Sequence, residues 1–182
     1  MRRRFAALAF FALIAPGGLG AQPSAADLAL LAAAGVEFPE HLGGLDRVEV
    51  RGDGPDQLIA TYVSPGQTAG APVATILVGR ASIPAESELS QTQASLSGEG
   101  RRVTAIRDLP APRGAPGALG RLWRLDEGQG SALIGAVIWH RDSWRIRIRG
   151  VAAADAGDAG ERGWAEIQRL IDAFDWGRAP RR

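Results

Sequence analysis

The chain has no cysteine and no lysine, and only two histidines among its 182 residues. Without cysteine there is no disulfide, no thiol nucleophile and no thiolate metal site. A lipid-modified cysteine start is excluded for the same reason. Without lysine there is no Schiff-base lysine and no Walker-type phosphate lysine. All 21 basic residues are therefore arginine, against 20 acidic ones. Long apolar runs are also missing. The longest, Phe5 to Ala15 (FAALAFFALIA), has 11 residues, about half of the roughly 20 that a membrane-spanning helix needs. His41 and His140 are the only imidazole bases. No Gly-x-Ser-x-Gly elbow accompanies them, and no His-Glu-x-x-His sets them at zinc-ligand spacing. Both histidines read as structural or solvent-exposed, and no metal or cofactor is expected.

What remains is an ordinary globular composition, 46% apolar and 23% charged, which excludes wholesale disorder. The start reads as a secretory signal peptide over residues 1–21. Arg2-Arg3-Arg4 is the positive segment, Phe5 to Ala15 the apolar one, Pro16-Gly17-Gly18 the helix breaker, and cleavage is expected after Ala21 or Gly20. Removing that segment takes three arginines and leaves 18 basic against 20 acidic residues, a net charge of −2. A mature chain so near neutrality has no global field to gather nucleic acid. The expected location is periplasmic or secreted, with no transmembrane segment after signal removal.

Residues 22–37 read as an N-terminal helix or arm, with Ser24-Ala-Ala-Asp27 as its cap and the helix over 25–34. Residues 38–178 read as a single domain. Leu45–Arg51, Leu58–Ser64 and Val73–Gly79 carry strand alternation separated by Gly/Pro/Asp turns. Ile83–Ser97 changes to helical spacing, with Ala85, Leu89, Thr92 and Leu96 in one stripe and Glu86 and Glu88 near the helix start, where the dipole favours carboxylates. Strands follow over Arg101–Leu109, Leu119–Asp126, Ala132–His140 and Ser143–Val151. The strand ALIGAVIWH is apolar on both faces, as a central covered strand requires. Glu161–Trp176 is the strongest helical pattern, with Trp164, Ile167, Leu170, Ile171 and Phe174 on one face and Gly177 after it. The expected class is α+β: one mostly antiparallel sheet of about six to seven strands, with the mid-chain and C-terminal helices packed on it.

This order of elements, with the aromatic late strand Ser143-Trp-Arg-Ile-Arg-Ile-Arg149 before a closing helix, resembles the PsbP-like α/β/α sandwich over roughly residues 38–176. The start Phe38 to Leu45 is similar to that of small exported bacterial proteins of unassigned function. The resemblance implies a non-catalytic accessory or binding role. It matches no family motif, so it carries over no site residue.

One constellation points to chemistry. Alternation in Trp144–Arg149 sets Trp144, Ile146 and Ile148 on one face and Arg145, Arg147 and Arg149 on the other. Guanidinium groups about 6.6–7 Å apart along a strand can grip phosphate, carboxylate or sulfate. The alternative is a solvated face with cross-strand pairing to acids such as Glu49 or Asp126. If a helix covers the face, the arginines must be paired internally, because an unpaired buried charge is costly. Two functions therefore stay open. One is an exported, non-enzymatic accessory or binding domain, taking an anionic small molecule or an acidic envelope protein. The other is a periplasmic hydrolase, which would need two carboxylates converging in a pocket.

Overall fold

The computed structural model describes residues 23–54, 56–66, 70–98, 100–128, 130–154 and 158–176. The segment 1–21, expected to be a signal peptide, and the expected helix stop at Gly177 lie outside the described residues. Helix α1 spans Ala25–Ala34. Ser24 and Asp27 cap it reciprocally: the Asp27 amide donates to Ser24 Oγ at 3.2 Å, and the Ser24 amide donates to Asp27 Oδ2 at 2.8 Å. The helix ends in the left-handed Gly35. Strands β1 (His41–Leu42), β2 (Leu45–Gly52), β3 (Gln57–Val63) and β4 (Val73–Arg80) form an antiparallel meander. Helix α2 (Ala85–Leu96) crosses over to β5 (Arg101–Leu109). Strands β6 (Leu119–Glu127), β7 (Gly130–Arg141) and β8 (Trp144–Ala153) then return toward β4, and helix α3 (Asp158–Ala173) closes the chain.

The sheet order is β1-β2-β3-β4-β8-β7-β6-β5, and every pairing is antiparallel. This corrects the expectation of six to seven strands. The sheet has eight strands and the described chain three helices. The missed strand is β1. Its two residues are too short to show alternation. They pair with β2 through Gly43-Gly44, both at positive φ (60° and 92°), the geometry of a tight two-residue hairpin. Gly43 is required twice over, since a Cβ there would also overlap the backbone of Leu170 in α3.

The alternation of the central strands divides the core into two layers. On one face, Ile146, Ile148 and Ala152 of β8 and Leu133, Val137 and Trp139 of β7 pack under α3 with Ile76 and Val78 of β4. Gly135 and Gly150 are the seats for Trp164 and Ile167, whose side chains occupy the space a Cβ would need. The closing helix ends earlier than its periodicity predicts, at Ala173 rather than Trp176. Trp176 folds back instead, edge-on to Phe174 at 5.3 Å and to Trp139 at 6.3 Å, with its indole donating to the Ile171 carbonyl. Burying that aromatic against β7 outweighs one more helical turn. On the other face, Leu89 and Leu96 of α2 pack on Trp123, Leu125, Ile134 and Ile138, and the Trp123 indole donates to Gln93 at 3.3 Å. Strand β7 is thus covered on both sides. Strand β5 is an edge, nine residues long and mostly exposed, with a bulge between Ala105 and Arg107.

Candidate functional site

The register fixes where the arginine stripe goes. Arg145, Arg147 and Arg149 lie opposite Gly79, Leu77 and Thr75 of β4, and opposite His140, Ile138 and Ala136 of β7. Because Ile146 and Ile148 are buried under α3, the three arginines face the side that carries α2. That helix sits over β5–β7, and its Glu88 reaches across to β8. A cleft of about 230 Å³ remains beside it, lined by Glu88, Gln91, Thr92 and Ser95 of α2 and by Ala136, Arg147 and Arg149 of the sheet.

Glu88 is the hinge of the cluster. Its side chain is only 4% exposed. Its Oε1 accepts from Arg145 Nη1 at 3.3 Å and from Arg147 Nη1 at 3.1 Å. Arg145, itself buried, also donates to Gln57 at 3.1 Å. Glu88 Oε2 makes no hydrogen bond. His140 Nε2 stands 3.9 Å from it, too far for one. The single carboxylate of the cleft is thus shared by two cations, and a third has none. Arg149 has no carboxylate partner among the described residues, and its Nε is buried without a hydrogen-bond partner. Its guanidinium pKa is lowered, first by burial and then by the charge of Arg147 beside it. Both causes act against a charged group that has nowhere to lose its proton at working pH. The site has positive charge in excess and space next to it.

The stripe read from sequence is therefore split by the structure. Arg145 is a structural cation, Arg147 is half committed, and Arg149 is uncommitted. The acids expected as cross-strand partners are elsewhere. Glu49 lies 3.7 Å from Arg51, and Asp126 accepts from Arg124 at 2.9 Å. Glu88 was missed because it read as an exposed acid serving the helix dipole. It borders the apolar stripe, next to Leu89 and one turn before Thr92. That Glu88-Thr92-Ser95 edge, at spacings of four and three, was the available signal. Of the histidines, His41 is on the surface, bonded to Asp46 at 2.7 Å, while His140 joins the Glu88 cluster. Among the described residues no three metal-ligating side chains gather, and no helix is long and apolar enough to cross a membrane.

No protein-family model matches the chain, and no curated protein matches it.

Proposed function

We propose that the protein is an exported, non-enzymatic binding domain that holds a small anion in the cleft between α2 and β8. The observation that carries this reading is Arg149, a partly buried guanidinium with no carboxylate partner among the described residues, lining a cleft beside Arg147. A bound anion would offset both unfavourable effects on Arg149 with its own charge and acceptors, so ligand binding and the relief of that site are one event. The PsbP-like resemblance read from the sequence implies an accessory or binding role of this kind. The hydrolase alternative needs two converging carboxylates, and the cleft lining offers one, Glu88.

Arg149→Gln should leave the denaturation midpoint unchanged or raise it, because it removes an uncompensated charge. Binding of small anions, read as ligand-induced thermal stabilisation at low ionic strength, should weaken by about tenfold or more. Arg80→Gln is the control. Arg80 stacks over Trp144, its guanidinium carbon 4.1 Å from the ring centroid, and does not line the cleft. An Arg149→Gln variant that binds anions like wild type would remove this reading.

Export is the second half of the proposal and rests on residues 1–21. Fused to a reporter active only outside the cytoplasm, this segment should direct its delivery. Leu8→Arg with Leu13→Arg should abolish delivery, since two charges leave too little hydrophobicity for recognition. Undiminished delivery of that variant would refute the export proposal.

A further inference from the structure

The two walls of the cleft differ in hydrogen-bonding sense. The sheet wall offers donors only, from Arg147 and Arg149. The helix wall offers mainly acceptors. Thr92 Oγ1 donates its proton to the Glu88 carbonyl at 2.8 Å, and Ser95 Oγ donates to the Thr92 carbonyl at 2.8 Å. Each hydroxyl has only lone pairs left for a ligand. Glu88 is an acceptor as well, with Oε2 buried and unbonded. Only Gln91 can serve either way.

Accepting that the cleft holds an anion, we infer that it selects oxyanions that carry an O–H donor of their own: hydrogen phosphate, or a phosphate on a hydroxylated skeleton, in preference to sulfate. An anion seated on Arg147 and Arg149 presents its remaining oxygens toward α2. If those oxygens are bare, as in sulfate, acceptor faces acceptor beside a buried carboxylate, which is unfavourable on both counts. If one of them carries hydrogen, it donates to the Glu88 carboxylate or to a hydroxyl lone pair of Thr92 or Ser95. The short O–H···O⁻ bond that results is among the stronger kinds. The volume of about 230 Å³ is several times the roughly 30 Å³ share of one water. It can therefore admit carbon and hydroxyl groups attached to the anion.

The test is calorimetric titration of the folded protein at pH 7 and low salt, with inorganic phosphate, sulfate, glycerol phosphate and methyl phosphate as probes. Phosphate should bind about tenfold or more tightly than sulfate. Tighter binding of glycerol phosphate than of phosphate or methyl phosphate would assign the O–H to a polyol ester. The reverse order would assign it to free phosphate. In Glu88→Gln the carboxamide supplies a donor, so the gap between phosphate and sulfate should shrink to about threefold or less. If that variant does not fold, the wild-type ratio still decides. Equal affinity for phosphate and sulfate, both lost in Arg149→Gln, would overturn the selectivity and leave the anion site standing. A gap that persists in Glu88→Gln would overturn the role of Glu88. Absence of binding by every probe would remove the site itself.

Discussion

Truncating Trp164 to alanine should destabilise the protein by about 3–5 kcal/mol, and replacing it by phenylalanine should cost far less. Trp164 is 2% exposed and its ring fills the notch left by Gly135 on β7. Alanine would open a cavity at the centre of the larger core layer, beneath the helix that closes the chain. The indole Nε1 is buried without a partner, so phenylalanine keeps most of the packing and removes an unsatisfied donor. The complementary change, Gly135→Ala, should cost about 1–3 kcal/mol by overpacking, because its Cβ would overlap that ring. The two changes share one space. Trp164→Ala combined with Gly135→Ala should therefore lose less than the sum of the single losses, with a coupling of about 0.5–3 kcal/mol. Denaturant unfolding followed by far-ultraviolet circular dichroism reads all four states of the cycle. A Trp164→Ala midpoint within error of wild type would show that α3 is peripheral to the sheet.

Glu88→Ala should cost a similar amount, about 3–5 kcal/mol, for an electrostatic reason. The carboxylate is the shared partner of Arg145 and Arg147, at 3.3 and 3.1 Å, and its side chain is 4% exposed. Removing it leaves three arginines on one covered strand face with no carboxylate among them. The decisive comparison is the triple replacement Glu88→Leu, Arg145→Met and Arg147→Met. An apolar cluster of similar volume should recover most of the loss, because the penalty comes from uncompensated charge and not from missing atoms. If Glu88→Ala unfolds at the wild-type midpoint, the pairs contribute nothing and the cleft is more solvated than its geometry implies.

Strand and helix positions were legible in the sequence wherever alternation or helical spacing ran for six residues or more. Val73–Gly79 and Arg101–Leu109 read almost as they fold. His41–Leu42 did not, because a two-residue strand exists only through its partner β2. The end of α3 was also misread. Phe174 keeps the helical spacing, but its contact with Trp176, and the packing of Trp176 on Trp139, are made outside the helix. At the candidate site, period-two alternation set all three arginines on one face, yet it carried no information about what covers that face. That depended on where the crossover helix α2 lands and on which of its edges meets β8. Two carboxylates, Glu86 and Glu88, looked alike in sequence. Rotation of the helix by two residues exposes one and buries the other.

The sheet order also governs how the chain can assemble. The seam between its two halves is β4 against β8, and 63 residues separate Arg80 from its partner Trp144. A chain that emerges N-terminus first can complete the β1–β4 meander early. It then exposes the inner edge of β4, with the apolar residues Ile76, Leu77 and Val78 on that strand, until β8 arrives. An unpaired apolar edge is an aggregation hazard for as long as it lasts, and pairing at such long range is slow to form. The nascent half is thus the state most in need of a chaperone, and the interval before β8 docks sets how long that need persists.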